Sequence, residues 1–159
     1  MQKEPAAGYG AVPLDQARTM DGLTLMTGVM NGTLPAPPIS KALGFWLAEV
    51  EAGKVAFAYE PVFEHYNPLG SVHGGIAATL LDSVMGCCIH TMLKAGSGYT
   101  TVEIKVNYVR AMTHKTGQVR AEGKVINMGS RIATSEGRLV DGTGKLLAHG
   151  TTTCLIFPI

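Results

Sequence analysis

The residues with chemistry to offer lie close together, in Asn67-Pro68-Leu69-Gly70-Ser71-Val72-His73-Gly74-Gly75 and then Asp82. Gly74 and Gly75 open an apolar run that reads as a helix. The first N–H groups of a helix lack internal acceptors and point along the positive end of its dipole. With no side chains there, a carbonyl oxygen can approach the backbone closely, with His73 and Asn67 as neighbouring donors, which is the geometry of an oxyanion hole. A His-Gly-Gly triplet alone is equally a tight turn into a helix. Asp82 adds what a turn does not explain. A carboxylate inside an apolar segment is costly to bury, and burial would raise its pKa. No cation stands three or four residues away, where Ala78, Thr79, Met85 and Gly86 lie. Asp82 therefore reaches solvent, a site or an unpaired backbone group. Small neighbours give it a groove that suits an elongated ligand or close packing of two helices.

His73 and Asp82 are too far apart to act together in one chain. Their separation along a helix is roughly 13–14 Å, and at about 100° per residue they lie on opposite sides. If both take part, the site is shared, with His73 and Gly74 of one subunit facing Asp82 of another. Function through this pair thus requires a dimer.

The helix that positions them is apolar at 76, 80, 84, 88 and 92 and again at 77, 81, 85, 89 and 93. Such a helix is enclosed by other structure. The stretch Gly75–Leu93 approaches membrane-spanning length, but Asp82, His90 and the flanking polar strands argue for a core helix ending at Lys94-Ala95-Gly96. Before it, GFWLAEVEAGKVAFAYEP reads as two strands about an Ala52-Gly53 turn. After it come four strand segments: TTVEIKVNYV, GQVRAEGKVIN, RIATSEGRLV and LLAHGTTTCLIF. Val102, Ile104, Val106 and Tyr108 alternate with Thr101, Glu103, Lys105 and Asn107 in the first of these. This order predicts an α+β domain over 41–159, a curved antiparallel sheet wrapped around one long helix. Residues 1–40 read as an arm: a loose tail, one or two short amphipathic helices and a proline-rich connector. The arm helices would bring Leu14, Leu23, Met26 and Met30 onto a partner surface.

At 159 residues and a net charge of +1, the chain is one globular domain without a global field for nucleic acid or membrane. Nine of its thirteen Lys and Arg residues, against four of its twelve Asp and Glu, lie between Lys94 and Lys145. That half fits either an anionic ligand or solvated strand faces. Cys87, Cys88 and Cys154 form no metal or disulfide framework and suit a reducing compartment. No secretory leader pattern is present, so a cytoplasmic location is expected. The chain lacks GxSxG, GxGxxG, the P-loop pattern, HExxH and HxE…PCxxC. These absences argue against a serine-hydrolase elbow, nucleotide fingerprints and zinc hydrolase or deaminase chemistry. No cofactor or metal is implied.

The pattern Asn67-Pro68-x-Gly70-x-x-His73-Gly74-Gly75, with Asp82 nine residues after the histidine, resembles the PaaI-like branch of the hotdog-fold acyl-CoA thioesterases. The order of elements from Lys41 to Phe157 agrees. The resemblance implies a hotdog fold whose subunits pair through a continuous sheet with their long helices side by side, and dimers that often pair again. It implies that Gly74 N–H polarises the thioester carbonyl, that His73 and Asn67 position that carbonyl or the water, and that the partner's Asp82 is general base or nucleophile. A hydroxyl at the start of the strand after the helix, Thr101 or else Thr100, would orient the water. Acyl-CoA would be the substrate. Its pantetheine and nucleotide would run past Gly75 and the turn Asn127–Arg131, with backbone contacts at Gly129 and Ser130 and a phosphate contact at Arg131. Arg110 and Lys115 are further basic candidates. The rival expectations are a hotdog dehydratase acting on acyl-CoA or acyl-carrier protein, and a non-catalytic acyl-CoA sensor. The retained carboxylate argues against the sensor. The acyl group stays open among phenylacetyl, hydroxybenzoyl and medium-chain fatty acyl, with Met26, Met30, Met85 and Met92 as lining or core.

Overall fold

The structure, a computed structural model, describes residues 4–159. Its centre is the helix α4 (Gly74–His90), wrapped by a six-stranded, wholly antiparallel sheet. The strands are β1 (Phe45–Glu51), β2 (Lys54–Tyr59), β3 (Ser97–Tyr108), β4 (Val119–Met128), β5 (Ile132–Asp141) and β6 (Leu146–Pro158), in spatial order β1-β2-β4-β5-β6-β3. This is the hotdog architecture expected of the sequence. The β1–β2 hairpin turns at Ala52-Gly53, where Gly53 supplies a φ of 75°. Leu80, Leu81, Val84, Met85, Cys88 and Ile89 of α4 are fully enclosed, so the two apolar stripes of the helix meet the sheet on more than one side.

The helix sinks into the sheet over a row of glycines. Gly123, Gly137 and Gly150 stand side by side on β4, β5 and β6. A Cβ at Gly123 would lie 2.5 Å from the Val84 carbonyl oxygen, and one at Gly137 would lie 2.8 Å from Met85 Cγ. Close approach of backbone to helix is therefore what these positions provide. Buried Ser135 adds a tie by donating to the Met85 carbonyl at 2.8 Å.

The helix ends at His90 with Thr91 as its cap, earlier than the glycine signal suggested, because Thr91 Oγ1 donates back to the Cys88 carbonyl and accepts from Gly53 N–H. No helix among the described residues is long and apolar enough to cross a membrane.

The arm departs from expectation in three ways. Residues 4–13 of the tail are tied down: Ala7 N–H donates to Gly32, Gly10 N–H to Ala36, and Ala36 N–H back to Gly8. Residues 1–3 lie outside the described part. Two helices do form, α1 (Leu14–Ala17) and α2 (Gly22–Met30), but Leu14 and Leu23 remain exposed while Met26 is buried. The proline-rich connector carries a third helix, α3 (Pro38–Leu43), since proline stops a helix yet is tolerated at its first position. α2 docks where Gly22 meets the end of α4. Its N–H donates to the Leu93 carbonyl, and a Cβ there would collide with the His90 carbonyl.

Candidate active site

The turn entering α4 is a rigid object. Gly70, at φ 85°, closes it, and Asn67 stitches it together. Asn67 Oδ1 accepts from the Leu69 and Ser71 N–H groups at 2.9 and 3.2 Å, and Nδ2 donates to Ser71 Oγ at 3.0 Å. Neighbouring loops clamp it. Val72 N–H donates to Met112, and His73 N–H donates to the His65 carbonyl. Tyr66 hydroxyl meets His114 Nδ1 at 2.7 Å, and Tyr59 hydroxyl meets His65 Nδ1 at 2.8 Å. His65 and His114 are hydrogen-bonded supports of the loop, as scattered histidines usually are.

His73 caps the helix. Its Nδ1 accepts from Gly75 N–H at 2.9 Å, which leaves the neutral ring with its proton on exposed Nε2. The Gly75 amide is thereby engaged within the chain. Gly74 N–H, the first of the helix, finds no acceptor among the described residues. Tyr108, at the far end of β3, stands over it: a Cβ on Gly74 would lie 3.2 Å from the Tyr108 ring. Asn67, Gly74, Tyr108 and Arg110 line one cavity of about 320 Å³. Tyr108 was read only as a strand residue. Nothing in its alternation announces that it closes on the helix N-terminus.

The carboxylate has its own partner. Asp82 is exposed on α4 of the single chain, the solvent-reaching alternative among those its sequence context allows. Thr101 Oγ1 donates to Asp82 Oδ1 at 3.0 Å. Simple alternation would put Thr101 on the face opposite Ile104, Val106 and Tyr108. The pairing register slips between Thr101 and Glu103, and this bulge at Val102 turns both sets toward α4. Thr100 remains exposed and pairs with Leu155. No group of three or more His, Cys, Asp or Glu is placed to hold a metal ion among the described residues.

The β4–β5 turn lies toward the Gly86 part of α4, since Ile156 N–H donates to the Arg131 carbonyl, Ile156 pairs with Tyr99, and the Tyr99 ring packs on Gly86. Ser130 and Arg131 are exposed there. Gly129 N–H donates to the Ile132 carbonyl and closes the hairpin. Arg110 and Arg131 form no ion pair among the described residues, whereas Arg120 is held by Glu49 and Glu122. The structure thus gathers Asn67, His73, Gly74 and Arg110 at one end of α4. Asp82 and Thr101 meet at its middle, eight residues from either end, and the Ser130-Arg131 turn lies beyond them. Each chain carries a free N–H donor at the helix entrance and a carboxylate at mid-helix, not facing one another.

A family model described as thioesterase superfamily matches residues 69–148, which include Gly74, Asp82, Thr101 and Arg131. Human acyl-coenzyme A thioesterase 13 is 28% identical over 128 residues, 79% of this chain and 89% of that protein. A putative esterase of Halobacterium salinarum is 31% identical over 80 residues, 49% of this chain and about half, 51%, of its own length. Among solved structures, a putative thioesterase of Ralstonia eutropha, described as phenylacetic acid degradation-related, is 26% identical with a TM-score of 0.74. That match covers 82% of this chain and 98% of the other.

Proposed function

The chain belongs to the thioesterase superfamily as a hotdog thioester hydrolase of the PaaI-like kind, and from that premise we propose that it cleaves acyl-CoA to a free acid and CoA at a site shared by two subunits. The observation that carries the shared site is the division of labour along α4. The free Gly74 N–H is at one end, and the Asp82–Thr101 pair is eight residues on, about 12 Å along the axis. Two chains with antiparallel α4 helices bring the donors of one to the carboxylate of the other. The β3 edge supports that arrangement: it is the last strand of the sheet, twelve residues long, with Val102 and Ile104 exposed. An edge of that kind invites another strand.

In the proposed mechanism the thioester oxygen takes up hydrogen bonds from Gly74 N–H and His73 Nε2–H, which strengthen as charge grows on it. The partner's Thr101 fixes the orientation of the partner's Asp82, as the same pair does within this chain. That carboxylate takes a proton from water as the water oxygen attacks the carbonyl carbon, and CoA leaves as its thiolate. Asn67 acts by holding the turn, with one amide hydrogen left for a ligand. Arg110 and Arg131 serve the CoA phosphates.

The test is thiol release from a panel of acyl-CoAs by wild type, Asp82→Asn and Asp82→Ala. Turnover by the wild type and its loss in both variants is expected. Binding without turnover on any substrate would favour the sensor, and wild-type rates in Asp82→Ala would remove the mechanism.

A further inference from the structure

We propose that the hollow between the N-terminal arm and strands β1 and β2 is the acyl subsite, and that it receives an unadorned hydrocarbon chain; this rests on the acyl-CoA reading above. The hollow measures about 640 Å³, within the range of roughly 300–1,000 Å³ that holds small ligands. Leu25, Met26, Val29 and Met30 of α2 form one wall, and Trp46 and Leu47 of β1 another. All except Met26 are only half-buried. Protein interiors close up to crystal-like density, and an apolar void left empty costs stability. A hollow this large beside so many apolar side chains is built to be filled.

Its place and its polarity identify the occupant. Cys87 of α4 forms part of the lining. It lies five residues after Asp82, about 7.5 Å along the helix axis. The two lie about 140° apart around the axis, and the face of α4 between them carries Ser83 and Gly86, with the Tyr99 ring packed on Gly86; in the proposal the acyl chain crosses that face, over the ring, to the hollow. Inside, the buried Ser40 hydroxyl is spent on the Pro37 carbonyl at 2.7 Å. Glu4 and Asn31 of the lining are exposed to solvent, and half-buried Trp46 adds one indole N–H. A charge on the acyl group would enter without an opposite charge, and a hydroxyl would find only the Trp46 indole N–H and a lone pair of Ser40, so the lining favours a hydrocarbon. Methionines at 26 and 30 adapt to a flexible chain.

Trp46, the single tryptophan of the chain, lines the hollow and reports its occupancy. Lauric acid brominated at its terminal carbon should quench Trp46 emission saturably and be displaced by plain lauric acid, whereas bromopropionic acid should not saturate. Val29→Phe should weaken that quenching and lower kcat/KM for lauroyl-CoA about tenfold relative to butyryl-CoA. Hydrolysis of lauroyl-CoA without saturable quenching would overturn the subsite and leave the hydrolase intact. An equal loss on both substrates in Val29→Phe would overturn it too. Saturable quenching with no thioester cleaved would support the subsite and remove the hydrolase.

Discussion

Asp82 and Thr101 form the pair on which the proposed hydrolysis turns. Asp82→Asn keeps the shape and an acceptor for Thr101 but loses the base. The expected loss in kcat is about 10²–10⁴-fold with little change in KM, read in the thiol-release assay. Thr101→Val removes one hydrogen bond to a charged oxygen, worth about 1.5 kcal/mol, and should cost about tenfold in kcat. The cysteines give a second prediction at this scale. Burial pushes the Cys87 and Cys88 thiols from the ordinary 9.0 up to about 12. The fold disfavours their thiolates, so their contribution to stability is full below pH 9 and is lost as pH rises toward about 12. Urea midpoints followed by Trp46 emission should fall across that window. The fall should shrink in a Cys87→Ala/Cys88→Ala double variant.

The elements act through close approach. Gly123→Ala would set a methyl against the Val84 carbonyl, and overpacking of this kind costs about 1–3 kcal/mol in urea unfolding. The helix entrance tolerates a more selective probe. His73 has the extended backbone that a following proline requires, and proline is accepted at the first helical position. Gly74→Pro should therefore delete the proposed oxyanion donor while α4 persists in circular dichroism, with kcat falling by about two orders of magnitude. Much at this scale was legible. The Ala52-Gly53 hairpin, the enclosed helix and four later strands follow from turn residues and hydrophobic period. The bulge at Val102 was not, because an extra residue in one strand leaves the sequence alternation intact and shows only in pairing with β6.

At the scale of the whole molecule, the proposal predicts that oligomerisation and activity stand or fall together. Val102→Lys with Ile104→Lys on β3 should shift sedimentation toward the single chain and abolish thiol release together. Asp82→Ala mixed with Gly74→Pro gives a sharper result. If subunits exchange freely in a two-fold dimer, about a quarter of wild-type activity should return, because half the dimers then own one intact site. No recovery, with exchange shown by native mass measurement, would mean that each site lies within one chain.

The sequence alone determined the local chemistry: a helix opened by Gly74 and Gly75, a carboxylate nine residues beyond His73, and a helical period that sets the two on opposite sides. Those features depend on spacing along one element, where covalent geometry fixes distance. Only the tertiary structure decided that Gly75 N–H belongs to His73, that Tyr108 covers Gly74, that Thr101 rather than Thr100 reaches Asp82, and that the arm encloses a hollow. Each of these depends on strand register and on how deeply the helix sits in the sheet. Such quantities are fixed by packing between segments distant in the chain, and no local pattern of residues records them.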